Sequence, residues 1–105
     1  MSNYARGANF EREVKKWYED KGCFVIRSAG SHSPVDLVVF RSSQKTYRPG
    51  WKCENNPFFI QVKRDGKFSR EERDKLIELA NEYGATPLLA YRDKEEEGGI
   101  GIGIL

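Results

Sequence analysis

Phe58-Phe59-Ile60-Gln61-Val62-Lys63 reads as a short strand that carries polar groups among apolar ones. It alternates with period two, so Phe58, Ile60 and Val62 share one strand face while Phe59, Gln61 and Lys63 share the other. The Gln-x-Lys spacing therefore puts two polar heads on one face, about 7 Å apart along the strand. Upstream, Pro34-Val35-Asp36-Leu37-Val38-Val39-Phe40 reads as another short buried strand, spanning 35–41, with a carboxylate in an apolar run. Burying a carboxylate or an ammonium is costly unless it is paired or holds a metal. Two such costs on neighbouring strands point to a divalent-ion site with a lysine beside it. Gln61 stands where a second carboxylate is expected.

Outward from this pair, the first element is a helix over 5–21, with Phe10, Val14 and Trp17 as its buried stripe and Gly22 as its stop. Glu11 lies at the edge of that stripe, able to point along the helix–sheet seam. A strand over 23–27 follows. The loop 28–34 is built of small residues suited to close backbone approach. The polar stretch 42–57 turns at Pro49-Gly50 and interleaves Tyr47, Arg48, Trp51 and Lys52. Those residues suit stacking on bases and binding phosphates, or a hairpin tip packed on its own loop or on a second subunit. After the Gln-x-Lys strand (58–63), Ser69 and Glu72 form a capping box. The helix it opens carries Leu76, Leu79, Ala80 and Tyr83 on one stripe and stops at Gly84. A strand over 86–91, an acidic turn at 94–97 and a weak edge strand over 100–105 complete the chain. The order αβββαββ predicts an α/β fold, a mixed sheet flanked by helices.

The chain has 105 residues, which predicts one domain spanning 1–105 with a modest core. Hydrophobic residues make up 38% and charged residues 32%, a globular and soluble composition rather than a disordered one. No apolar run approaches the roughly 20 residues a bilayer span needs, and the N-terminus lacks a signal-peptide pattern. The expectation is a cytoplasmic protein with no membrane partner. Cys23 and Cys53 do not make a zinc motif and fit reduced thiols of a cytosolic protein. Net charge is only +2, but its distribution is uneven. Residues 1–75 carry 16 Lys and Arg against 10 Asp and Glu, whereas 76–105 carry 2 against 6. A basic front and an acidic tail point to a polyanion met by one face.

Asp36 and the groups beside it on the Gln-x-Lys strand can offer hard oxygens to Mg²⁺, with an acid from the first helix completing the set. Such an ion acidifies water and offsets charge on a phosphate, and a lysine two residues along can orient the water or stabilise the transition state. That is a recipe for phosphodiester hydrolysis.

Asp36 followed by Gln61-x-Lys63, with Pro34 nearby, resembles the bipartite nuclease motif of a proline and aspartate followed by Asp/Glu-x-Lys. The likeness is closer still to the archaeal-type Holliday junction resolvases. Arg6-Gly7-Ala8-Asn9-Phe10-Glu11-Arg12-Glu13 resembles their opening helix, and Gly22–Ser31 is similar to their second block. Gly84-Ala85-Thr86-Pro87 with Ala90 resembles their post-helix strand. The resemblance covers about residues 4–92 and departs in length only at 42–57. It implies a restriction-endonuclease-like fold and a homodimeric, Mg²⁺-dependent endonuclease (Mn²⁺ substituting) that makes paired nicks in branched DNA, the four-way junction. Glu11, Asp36, Gln61 and Lys63 would form the catalytic centre, assisted by Ser31. The metal would be held by Asp36, Gln61, Glu11 and the Val62 carbonyl. DNA contacts would come from Arg6, Arg12, Arg27, Ser31, His32, Arg64 and Lys67. Selectivity would then rest on shape and phosphate spacing rather than base edges.

One position departs from the family pattern. Gln61 replaces a glutamate, keeping a carbonyl oxygen of similar reach while removing one negative charge. It fits a tolerated native ligand, an engineered inactivation, or a domain that lost catalysis and kept binding. Two other functions therefore stand beside the junction nuclease: a DNA-structure-binding module, and a same-fold restriction or repair nuclease. His32 suits a phosphate contact or an acid, or simply an exposed loop position.

Overall fold

The computed structural model describes residues 3–28, 33–42 and 57–105, with side chains from residue 9 onward. In chain order the elements are α1 (Asn3–Asp20), β1 (Phe24–Arg27), β2 (Leu37–Phe40), β3 (Phe58–Val62), α2 (Arg70–Tyr83), β4 (Thr86–Arg92) and β5 (Ile100–Ile104). A short 3₁₀ turn, Glu97–Gly99, leads into β5. The expected α/β order is therefore observed.

The five strands lie side by side in the order β1-β2-β3-β4-β5. β1–β2, β2–β3 and β4–β5 are antiparallel, and β3–β4 alone is parallel, with Ile60 opposite Leu88 and Val62 opposite Ala90. A parallel pair needs a crossover, which α2 provides. Ser69 opens α2 by accepting the Glu72 N–H on its Oγ at 3.1 Å, and Gly84 closes it at φ 67°.

Alternation assigns the two faces. Phe58 and Ile60 join Phe10, Val14, Tyr18, Val25, Leu37, Val39, Leu88, Ala90 and Ile100 in one core under α1. Burying each large apolar side chain there contributes about 1.5–3 kcal/mol. Phe59 faces the other way, into a groove shared with Leu79 and Tyr83 of α2. The two helices thus cover opposite faces.

Three expectations need correction. The α1 stripe is Phe10, Val14 and Tyr18, while Trp17 is only half-buried, edge-on to Tyr18 at 4.9 Å. Positions 10, 14 and 18 follow the i, i+4 rows that rest on a sheet, which leaves 17 at the stripe edge. Tyr83 does not join the α2 stripe: Leu76 and Ala80 are buried, but Tyr83 is 65% exposed at the rim of the groove that Phe59 and Leu79 also line. Asp36 and Lys63 fall just outside β2 and β3, at strand ends rather than within strands. Cys23 is buried beside the core, and Cys53 lies outside the described residues.

Arg92 ties α1 to the far side of the sheet. It pairs with Glu13 and lies over the Phe10 ring at 4.7 Å. On the opposite face, β5 presents glycine, and the Tyr91 ring lies across it. A Cβ built on Gly101 would meet Tyr91 Cε2 and Cζ at 2.5 Å. Most of the Ile-Gly alternation of β5 is thereby explained: Ile100 and Ile102 pack on the core side, Gly101 admits the tyrosine, and Ile104 is left exposed at the strand end. Gly101→Ala is expected to lower stability by roughly 1–3 kcal/mol through overpacking. Chemical denaturation checks this, and in a Tyr91→Ala background the same substitution should cost clearly less.

Candidate active site

The site begins where the β2–β3 ladder runs out. Their last matched pair is Leu37 and Ile60, and the Asp36 N–H still donates to the Ile60 carbonyl at 2.8 Å. On its other side the Asp36 carbonyl accepts from Ser28 N at 2.9 Å, tying β1 into the same corner. Beyond this point the Val62 N–H has no backbone partner on the β2 side. The Asp36 carboxylate takes that place, its Oδ2 accepting the Val62 N–H at 2.8 Å. A side chain thus replaces a ladder bond. It fixes the carboxylate against β3, next to Gln61 and Lys63.

Asp36 lacks enough positive charge around it. Burial pushes its carboxyl up from 3.8 to about 6. The Val62 N–H and Lys63 pull it down, while Glu11 and Glu72 push it further up. This half-buried anion is the kind of group that a cation relieves.

The other candidates gather around it from four elements. Glu11, on the seam edge of α1, accepts from Arg27 Nε of β1 at 2.7 Å. Its placement along the helix–sheet seam matches the reading from sequence. Gln61 is a buried polar residue, 8% exposed. Lys63 reaches Glu72 of α2, Nζ to Oε2 at 2.8 Å. Its own backbone N–H is anchored on the Ala90 carbonyl of β4 at 2.9 Å. Val62 is half-buried, and strand geometry sends its carbonyl out on the same edge as the N–H that meets Asp36.

The cationic candidates lie further out. Arg64 and Lys67 are exposed in the turn between β3 and α2, which is pinned by Gly66 N to Lys63 O at 2.9 Å. Arg12 is exposed on α1. Arg6 lies within α1, but its side chain, like all of Ser31 and His32, is outside the described residues, as is the Tyr47–Lys52 stretch.

Glu72 is the site residue that the sequence reading missed. Its Ser-x-x-Glu spacing was fully explained as a capping box, and the cap does form. Its carboxyl is nonetheless held below the ordinary value first by the hydrogen bond from Lys63 and then by Ser69. The signal that could have found it is topological. A parallel crossover starts at the C-terminal end of its strand, so the first turn of α2 returns beside Lys63. Among the described residues, no three His, Cys, Asp or Glu side chains converge as one ready-made metal cluster. Asp36 lies against the Val62 N–H, so the carboxylate, the Val62 carbonyl and the neighbouring Gln61 amide are the oxygen donors at this corner. This set suits a hard divalent cation.

Comparison with known proteins identifies the family and the fold. Residues 2–100 match the family model described as archaeal Holliday junction resolvase (Hjc). A curated relative, crossover junction endodeoxyribonuclease Hjc of Methanocaldococcus jannaschii, is 34% identical over 89 residues. That match covers 85% of this chain, and the chain spans 60% of the relative's length. The solved structure of Archaeoglobus fulgidus Hjc, a Holliday junction resolvase from an archaeal hyperthermophile, is similar in fold with a TM-score of 0.67. It shares 21% identity and covers 91% of this chain and 73% of that one.

Because the folded-state pKa of Asp36 lies above its ordinary value, the folded chain binds that proton more tightly than the unfolded chain. Its contribution to stability is complete below about pH 4 and is lost as pH rises through about 6. Asp36→Asn can keep an oxygen toward the Val62 N–H without the charge. In EDTA it should melt above the unsubstituted chain at pH 7–8, and the gap should close below about pH 4. Thermal melts across pH check this; a gap that does not vary with pH contradicts it.

Proposed function

Because this chain belongs to the archaeal Holliday junction resolvase family, we propose that it is a Mg²⁺-dependent endonuclease. In this reading a homodimer binds four-way DNA junctions in the cytoplasm and resolves them by paired nicks, each protomer contributing one nuclease domain. The single observation that carries the proposal is the meeting of Asp36, Gln61 and Lys63 at the adjoining ends of β2 and β3. The Asp36 bond to the Val62 N–H holds that meeting in place.

Asp36, Gln61, the Val62 carbonyl and Glu11 would hold the ion. A divalent cation there supplies Lewis acidity for water attack on a phosphodiester and offsets charge on the phosphate. Lys63 donates to a phosphate oxygen or orients the attacking water. Arg27, paired with Glu11 before DNA arrives, suits a bidentate phosphate contact once the pair opens. Arg64 and Lys67, beside Lys63 in the chain, extend the cationic surface along the DNA, as do Arg6 and Arg12 of α1. Ser31 and His32 belong to the same expected DNA-contacting loop.

The homodimer has support in an uncovered apolar face. Phe24 (66% exposed) and Ile26 (48%) on edge strand β1 share a face with Phe40, whose ring lies 6.4 Å from that of Phe24. They continue into the groove lined by Val38, Phe59, Leu79 and Tyr83, about 340 Å³ in volume. Contiguous apolar surface of this kind marks an interface. A two-fold dimer suits a two-fold substrate, since equivalent sites then meet equivalent strands.

A second reading has one observation in its favour, the neutral Gln61 at a ligand position. It is a junction-binding module without catalysis, with steeply salt-dependent binding.

Two experiments test these readings. With Mg²⁺, the purified chain should nick a synthetic immobile four-way junction in preference to linear duplex of the same sequence. Lys63→Ala should slow nicking by about 10²–10³-fold. Equal cleavage of the duplex removes the junction specificity, and binding without cleavage in Mg²⁺ or Mn²⁺ selects the second reading. Sedimentation should give twice the 12.1 kDa chain mass, and Ile26→Asp should shift the species to monomer. A monomeric unsubstituted chain at micromolar concentration rejects the dimer.

A further inference from the structure

Lys63 leaves β3 with its backbone tied on both sides. Its N–H donates to the Ala90 carbonyl of β4 at 2.9 Å, and its own carbonyl accepts from Gly66 N at 2.9 Å. Those bonds fix the start of the side chain but not its ammonium, which stands at the end of a flexible four-carbon stem. The ammonium meets Glu72, Nζ to Oε2 at 2.8 Å. Glu72 is anchored in its turn: it is the third residue of α2, and its N–H is capped by Ser69 Oγ at 3.1 Å.

This contact differs from the ordinary ion pairs of the chain. Lys15–Glu19 and Lys75–Glu71 lie four residues apart on one helix, where such pairs support the helix itself. Lys63–Glu72 instead joins two elements across the turn between β3 and α2. With side chains 30% and 43% exposed, it adds little to stability. What it fixes is where the Lys63 head group stands. The carboxylate occupies one of three ammonium donors, so two remain for other acceptors.

Resting on the nuclease reading above, we propose that Glu72 is the positioning residue for Lys63. Its carboxylate holds the ammonium at the end of β3 before DNA arrives and while the phosphodiester is cleaved. Glu72 acts through Lys63 and touches neither the phosphate nor an ion. A donor already in place does not have to be ordered when charge develops on the phosphate. Without the carboxylate Lys63 keeps its charge but loses its fixed position, so the cost falls on nicking rather than on DNA binding. Binding should hold or tighten, since one acid beside a phosphate-contacting cation is gone. Opposite effects on the two quantities separate positioning from a general disturbance of α2, which would weaken both.

The test uses a synthetic four-way junction and reads two quantities: affinity in EDTA, and single-turnover nicking in Mg²⁺ with the protein in excess. Glu72→Ala should nick about tenfold more slowly, with junction affinity unchanged within twofold or higher. Glu72→Gln keeps an oxygen acceptor and the Ser-x-x-Gln form of the capping box, and its rate should lie between the two. In a Lys63→Ala background, Glu72→Ala should change the remaining rate by less than twofold, because the group it positions is gone. Nicking by Glu72→Ala within twofold of the unsubstituted chain, or faster, overturns the proposal. So does a tenfold loss that persists in the Lys63→Ala background, or a fall in junction affinity that matches the fall in rate. Nicking by the unsubstituted chain alongside any of these results leaves the nuclease reading standing. An unsubstituted chain that binds the junction without nicking overturns both.

Discussion

The Asp36 carboxylate on the Val62 N–H is the contact from which the site is built. β2 and β3 stop pairing at Leu37 and Ile60, and one more backbone donor on β3 needs an acceptor. Leaving it unsatisfied in a partly buried corner costs about 1–3 kcal/mol. Using a carboxylate rather than a carbonyl satisfies the donor but introduces an anion with too little positive charge around it. Stability and chemistry therefore pull in opposite directions at one residue, a common compromise at functional sites.

The remaining charges are arranged around that anion in pairs between elements. Glu11 of α1 meets Arg27 of β1, and Lys63 beyond β3 meets Glu72 of α2. These pairs are partly exposed and contribute little to stability by themselves. Their value lies in position, since they hold long side chains near Asp36 at low net charge. In the nuclease reading a phosphate can replace the carboxylate on Arg27, while Glu72 keeps Lys63 in place.

Much of the fold was legible in the sequence because period-two and period-3.6 patterns report burial directly. Phe58 and Ile60 facing α1, Ser69 and Gly84 bounding α2, and glycines on a β5 edge strand all follow from local chemistry. The misassigned residues sit where a helix or strand ends or meets a boundary of the core. Tyr18 displaces Trp17 from the α1 stripe because sheet position, not spacing, selects among helical neighbours. Tyr83 carries the right period but stands at the open rim of the groove beside Phe59 rather than under a second layer. Asp36 and Lys63 read as strand residues because nothing local marks where a ladder loses its partner.

At the site, alternation along the chain is enough to mark the groups out of place in apolar runs: Asp36, Gln61 and Lys63, with Glu11 at a stripe edge. That position 61 bears no charge is equally plain, since composition at a position needs no folding to read. What those groups meet follows from tertiary packing alone. Asp36 takes a backbone donor that β2 leaves unpaired, and Glu11 takes Arg27 across 16 residues of chain. Glu72, locally a cap and nothing more, meets Lys63 because the parallel β3–β4 pairing brings the start of α2 back to the end of β3. Local propensity describes a residue's own element. Partnership depends on which strand ends and helix starts the sheet order brings together.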